Sequence, residues 1–234
     1  MDALNVCKTN LQSYAKSGHE VNWYGGSVEQ STYRKAAVLI PLFIKNNNVH
    51  ILLTRRSDKV KTHKGQISFP GGKMEDKDAD IIETALRETH EEIGIAMDDV
   101  EVVSTWTPLI AKGGKDSFLA VYPVVGILKP DFQASTNDEV SEVFGVPLEF
   151  FLLEESHRQH HYHHGNTTLP IHYFSYEQGE STYYVWGITG NLCLKLAIVA
   201  LRKLPMFELK TEVEQQDYHG FVNGNLKSHF GSKI

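Results

Sequence analysis

Glu88, Glu91 and Glu92 stand at i, i+3 and i+4 in a stretch with helical patterning, so their carboxylates project together. Like charges at that spacing destabilise a helix unless something neutralises them. Residues 75–101 hold eleven acids against Lys77 and Arg87, a local balance of −9. Clustered hard oxygens suit Mg²⁺ or Mn²⁺, and such an ion can bridge to phosphate oxygens. A solvated acidic face is the commoner explanation of a glutamate run. Here Phe69-Pro70-Gly71-Gly72 leads in as a loop and Gly94 closes the helix directly after the carboxylates, which favours a site. Upstream, residues 55–64 carry Arg55, Arg56, Lys59, Lys61 and Lys64 against Asp58, a local +4 in a chain of net charge −6. A basic strip beside an acidic cluster could hold a phosphorylated substrate; a solvated basic loop is the plain alternative.

The elements that must position these groups follow from the apolar pattern. A helix from about Asp80 to Ile93 buries Ile82, Leu86, Thr89 and Ile93 on a face distinct from the carboxylates. Strand-like runs cover Ala36–Lys45 and His50–Arg55, with Asn46-Asn47-Asn48 as the turn between them. Further strands are expected at 99–106, 117–128, 170–176 and 181–188, and helices at 2–17 and 190–203. Strands alternating irregularly with a few helices predict one α/β domain on a mixed sheet. Residues 1–30 read as an N-terminal helical extension, 31–204 as the domain carrying the site, and 205–234 as a tail.

Composition narrows the classes. The 234 residues are 41% apolar and 22% charged, enough for a large core and against disorder. A net charge of −6 argues against broad nucleic-acid binding, which needs many phosphate-neutralising cations. Cys7 and Cys193 are the only cysteines, which excludes a disulfide framework or a cysteine zinc site. The first eighteen residues lack an apolar run suited to a signal peptide, and no segment reaches transmembrane length. A soluble intracellular protein is expected. Ser232-Lys233-Ile234 is a near match to the peroxisomal Ser-Lys-Leu signal, with an ordinary polar tail as the alternative.

The segment Arg87-Glu88-Thr89-His90-Glu91-Glu92-Ile93-Gly94-Ile95 resembles the second half of the Nudix hydrolase signature, G-x5-E-x7-R-E-U-x-E-E-x-G-U with U apolar, departing from it at Thr89. The first half departs by one residue: counting back from Arg87 puts Ala79 at the first Glu position, and counting forward from Gly72 puts Asp78 there. The resemblance implies an α/β/α fold, a mixed sheet sandwiched between helices, and hydrolysis of diphosphates by metal-assisted attack of water. It implies Glu88 and Glu92 as principal ligands of Mg²⁺ or Mn²⁺, and Glu91 as a ligand directly or through water. Arg87 would orient a carboxylate of the cluster or simply pair with Glu83. Gly72 would let the backbone approach metal or phosphate closely.

Leu52-Leu53-Thr54-Arg55-Arg56-Ser57 with Lys61, Gly65 and Phe69-Pro70-Gly71-Gly72 resembles the signature of the coenzyme A diphosphatase subgroup, departing at Lys61 where the subgroup has Arg. Lys keeps the charge and loses the bidentate fork. The resemblance implies CoA and acyl-CoA as substrates, with Arg55, Arg56 and Lys61 as phosphate contacts; the alternatives are a Nudix diphosphatase acting on ADP-ribose or dinucleotides, or a non-catalytic nucleotide-binding module. It also favours a peroxisomal import receptor as partner of Ser232-Lys233-Ile234, and the peroxisome over the cytoplasm. A general base is expected outside the helix, Glu139 first and Glu142 second, in a stretch that reads equally as charged surface helix. Gly113-Gly114 reads as a substrate loop or a hairpin turn, and Trp186 as core, with a stacking platform as the alternative. The histidines His157, His160, His161, His163 and His164 read as an exposed loop, with opportunistic capture of zinc or nickel as the alternative.

Overall fold

The computed structural model describes residues 2–16, 33–114, 117–164, 167–209, 218 and 221–223. In chain order it runs α1 (Ala3–Lys16), β1 (Arg34–Lys45), β2 (Asn48–Arg56), β3 (Ile67–Ser68), β4 (Gly71–Lys73) and α2 (Ile81–Ile93). Then come β5 (Val100–Thr105), β6 (Leu109–Gly114), β7 (Ser117–Leu128), β8 (Val140–Pro147), β9 (His157–His164), β10 (Thr167–Gln178), β11 (Ser181–Trp186) and α3 (Gly187–Leu201).

Two apolar runs start the main sheet. β1 and β2 pair antiparallel, with Lys45 opposite Asn48, across a turn whose Asn46 and Asn47 take φ of 51° and 62°. Two left-handed residues in a row is a hairpin-turn geometry that asparagine tolerates. β7 lies parallel to β1 on its other side, from Arg34↔Leu119 to Leu42↔Ile127, so the sheet is mixed. β5 and β6 pair antiparallel with β7, and β8 with β2. Where β1 and β2 splay apart, the short β3 pairs with β2 and β4 with β1. A second sheet holds β9, β10 and β11 in antiparallel order.

Alternation along β1 sends side chains to two layers. Ala37 and Leu39 meet Ala85, Ile81 and Leu86 of α2. Ile40 and Leu42 belong to the larger core with Leu11 and Tyr14 of α1 and Leu194 and Leu196 of α3. The mixed sheet is therefore sandwiched between helices, the α/β/α arrangement expected. The segments expected as extension and tail both reach this core, since Leu11, Tyr14, Leu209, Tyr218 and Phe221 are buried in it. No helix among the described residues is long and apolar enough to cross a membrane.

Two expectations are corrected. The charged stretch after Asn137 is not a surface helix. Asn137 Oδ1 accepts from the N–H groups of Glu139 and Val140, a local turn that launches β8. The histidine-rich segment is strand β9 and not a loop, with His160 and His161 exposed as expected. His157 is buried, stacked on Phe207 with ring centroids 3.5 Å apart, and its Nε2 lies 2.8 Å from His172 Nδ1. The side chains of His163 and His164, like Ser232-Lys233-Ile234, lie outside those described. Gly114 pairs with Ser117, as a hairpin turn requires.

Candidate active site

The carboxylate helix is fixed at both ends by its own sequence. Asp80 caps α2, accepting from Ile82 N at 2.8 Å and Glu83 N at 2.9 Å, and Gly94 ends it at φ 73°. Thr89, at the position the Nudix pattern makes apolar, is fully buried and donates its hydroxyl to the Ala85 carbonyl at 2.7 Å. That bond lets a polar side chain sit in the core without an unpaired donor.

Arg87 ties the segment together. Its Nε and Nη2 donate to the two oxygens of Asp78 at 2.7 and 2.9 Å, and Nη2 also donates to the Lys73 carbonyl at 3.1 Å. Nη1 donates to Glu88 at 3.0 Å and Glu91 at 2.9 Å. Asp78 is buried too, and accepts from Glu75 N and Thr84 Oγ1. The guanidinium hydrogen bonds hold the Asp78 carboxyl well below the usual carboxylate range. Ala79 is exposed. The ambiguity between positions 78 and 79 thus resolves to Asp78 as Arg87's partner, with Ala79 as the extra residue before the cap.

Glu92 is buried against β4. Its Oε2 accepts from Gly71 N at 3.1 Å, and its Oε1 lies 3.8 Å from Arg56 Nη1. Burial pushes its carboxyl up to about 7, opposed by Gly71 N–H and Arg56 and reinforced by Glu88 and Glu139. Burial also raises the Glu88 carboxyl, against the pull of Arg87. A Cβ at Gly72 would collide with the Glu88 carboxylate. Gly71, at φ 154°, would put its Cβ 2.6 Å from Val38 Cα. Gly71 is therefore required for β4 to lie this close to β1, and Gly72 leaves room for the Glu88 carboxylate.

A cavity of about 830 Å³ opens over this junction. Gly71, Gly72, Glu88 and Glu92 border it, with Arg56, His63 and Gln66 from the basic segment and Glu139 from the turn before β8. Its apolar lining includes Leu119, Val121, Ile171, Trp186 and Ile188. Among the described residues no three His, Cys, Asp or Glu side chains are gathered into a ready metal cage. Arg87 instead draws Glu88 and Glu91 to itself. The hard oxygens of Glu88, Glu92 and the Gly72 carbonyl nonetheless suit a hard divalent cation, and buried Glu92 has charge for one to offset.

The other expected contacts separate. Arg56 borders the cavity, whereas Arg55 pairs with Glu142 at 2.7 Å, and the second Glu142 oxygen accepts from Tyr183 OH at 2.8 Å. Glu139 borders the cavity; Glu142 is committed to that pair. Lys61 is exposed and outside the cavity lining, and Glu91 is exposed, held by Arg87. Trp186, expected in the core, is 41% exposed, stacked on Tyr173 and part of the cavity wall. His63 and Gln66 were not singled out from sequence, because they fall at unfixed positions of the motif. His63 takes φ 58°, and its Nδ1 lies 2.9 Å from Gln66 Oε1.

Residues 33–166 match the NUDIX domain family. With this arrangement of helix, glycine loop and carboxylates, the chain belongs to the Nudix hydrolase family. It is 36% identical over 205 residues to the peroxisomal coenzyme A diphosphatase NUDT7 of Mus musculus, covering 86% of this chain and 85% of that protein. It is 40% identical over 178 residues to the mitochondrial Nudix hydrolase 15 of Arabidopsis thaliana, covering 74% and 61%. Among solved structures, a C. elegans Ap4A hydrolase binary complex is 20% identical with a TM-score of 0.42, covering 50% of this chain and 81% of that one. Nudix hydrolases generally use divalent metals.

Proposed function

We propose that the chain is a divalent-metal-dependent hydrolase that cleaves the diphosphate of coenzyme A and acyl-CoA esters to 3′,5′-ADP and 4′-phosphopantetheine or its acylated form. One observation carries this reading: the Leu52–Gly72 motif and the α2 carboxylates border the same cavity, through Arg56, Phe69, Gly71 and Gly72 on one hand and Glu88 and Glu92 on the other. The similarity to a coenzyme A diphosphatase over most of both chains supports it.

In this reading Glu88, Glu92 and the Gly72 carbonyl hold Mg²⁺ or Mn²⁺, with Glu91 joining directly or through water. When bound, the ion acidifies water and offsets charge on the phosphoryl oxygens. Arg87 orients Glu88 and Glu91 and is itself held by Asp78. Glu139, whose charge reaches Glu92, takes a proton from the water that attacks phosphorus. The new bond is oxygen to phosphorus, the P–O–P link opens, and the phosphate opposite leaves. Arg56 contacts the anionic substrate; Lys61 contributes field from the rim, and Arg55 acts through Glu142. Residues 31–204 form the catalytic domain, with 1–30 as extension and 205–234 as tail. Ser232-Lys233-Ile234 is read by a peroxisomal import receptor; deleting these three residues from a fluorescent fusion should move punctate signal to the cytoplasm.

The deciding experiment compares CoA, 3′-dephospho-CoA, ADP-ribose and NADH with Mg²⁺, identifying products by mass. Preference for CoA over its dephospho form is expected. Equal or better cleavage of ADP-ribose would keep the Nudix chemistry and discard the CoA assignment. Glu88→Gln and Glu92→Gln should each cut turnover by about a hundredfold or more with the fold retained. Turnover nearly unchanged in both would remove the metal assignment.

A further inference from the structure

A general base must keep its place to within about 0.5 Å, yet Glu139 stands exposed in the turn before β8, outside any helix or strand. Its backbone is nonetheless fixed at both polar groups. The Glu139 N–H donates to Asn137 Oδ1 at 2.8 Å, and the Glu139 carbonyl accepts from Ser57 N at 2.7 Å. Ser57 is buried and directly follows Arg56, which borders the cavity.

The same turn is anchored on the carboxylate helix. The last four carbonyls of a helix lack partners within it and must find them outside. At the end of α2, His90 O accepts from the cap Gly94 N at 2.9 Å. Glu91 O accepts from Asn137 Nδ2 at 3.0 Å, and Ile93 O from Ser135 N at 2.9 Å. Asn137 thus divides its amide between two tasks. The oxygen closes the turn on the N–H groups of Glu139 and Val140, and the nitrogen caps the helix that carries Glu88 and Glu92. For the first task any Asx or hydroxyl side chain would serve. The second needs a donor at the end of the same side chain, which aspartate lacks and serine is one bond too short to supply.

Resting on the reading of Glu139 as base, we infer that Asn137 is a positioning residue for CoA hydrolysis, its side-chain amide setting Glu139 in register with the carboxylates of α2. Asn137 itself does not border the cavity. It therefore acts on kcat, through the placement of Glu139, and leaves substrate binding alone.

The test measures 3′,5′-ADP release from CoA at saturating Mg²⁺ for the wild type, Asn137→Ser, Glu139→Gln and the double variant. Asn137→Ser should lower kcat by about tenfold with KM within about twofold of wild type. In the Glu139→Gln background the same substitution should cost less than about twofold, because the carboxylate it places is already gone. Asn137→Asp keeps the turn-closing oxygen and should show the same loss; it replaces Asn137→Ser, in both backgrounds, if that variant does not fold. A residue that only holds the turn would lower Tm without moving kcat, or would lower kcat equally in both backgrounds. A kcat within about twofold of wild type in both Asn137 variants, or an equal loss with and without Glu139, would overturn the inference and leave the base reading standing. A kcat for Glu139→Gln within about threefold of wild type would instead overturn the base reading, and the positioning role with it. Absence of CoA cleavage by the wild type, with ADP-ribose cleaved, would overturn the CoA reading.

Discussion

Asp78→Asn probes the clamp that holds Arg87. The Asp78 carboxylate accepts four hydrogen bonds: from Arg87 Nε at 2.7 Å, Arg87 Nη2 at 2.9 Å, Glu75 N at 2.9 Å and Thr84 Oγ1 at 3.0 Å. Three of these fall on Oδ2, so the amide oxygen would take that position and the new NH₂ would face the Arg87 Nε–H. The variant keeps its volume, loses its charge and sets donor against donor. Breaking a buried pair costs about 3–5 kcal/mol. Arg87 retains Glu88, Glu91 and the Lys73 carbonyl, so the lower end, about 3 kcal/mol, is expected. For a chain of this size that is a fall in Tm of roughly 6–12 °C.

The assay is urea unfolding followed by far-UV circular dichroism in EDTA, so that metal linkage contributes nothing. Arg87 lowers the Asp78 carboxyl in the folded state, so the contribution is fully present above the unfolded pKa of about 3.9. It fades as pH falls toward the lower folded value. The gap between wild type and variant should therefore hold from about pH 8 to 5 and narrow below about 4. Ala79→Glu, at the exposed rival position, should change stability by less than about 0.5 kcal/mol. A cost below about 1 kcal/mol for Asp78→Asn, or a larger effect at position 79, would refute the pairing.

Four more outcomes follow from the same geometry. Gly72→Ala forces the Glu88 carboxylate aside and should lower kcat/KM by about a hundredfold with little change in far-UV circular dichroism. Arg56→Ala should raise KM for CoA by roughly tenfold or more, because Arg56 borders the cavity. Arg55→Ala, which breaks the half-exposed pair with Glu142, should move KM by less than about threefold and cost at most about 1 kcal/mol in denaturant melts. Glu139→Gln should reduce kcat by about a hundredfold; a kcat within about threefold of wild type would send the base elsewhere.

What could be read from sequence was local. The α2 carboxylates, the helix start near Asp80, the Gly94 stop and the glycines before the helix depend on residues within a few turns of one another, and their spacing alone predicts them. The first apolar strands were legible for the same reason. What escaped depended on partners distant in the chain. β8 and β9 carry charges and histidines that read as surface, and they are strands because β2 and β10 supply the other half of each ladder. Asp78 and Ala79 were equivalent by counting, and only burial under Arg87 separates them.

The same limit decides which of two neighbours does the chemistry. Consecutive strand residues point to opposite faces, so of Arg55 and Arg56 one was bound to turn away from any single site. The motif fixes Arg56 and leaves the position of Arg55 open. β2 settles it by its neighbours: β8 brings Glu142 opposite Arg55, and the ladder shifts register between Arg55 and Arg56, leaving Arg56 beside Glu92. Trp186 follows the same logic in β11, where every residue from Tyr183 to Trp186 is apolar or aromatic and sequence alone cannot tell the core face from the cavity face. A face is assigned only when a second strand arrives, so specificity at this cavity resides in pairings distant in sequence, whereas the α2 carboxylates sit on one contiguous helix.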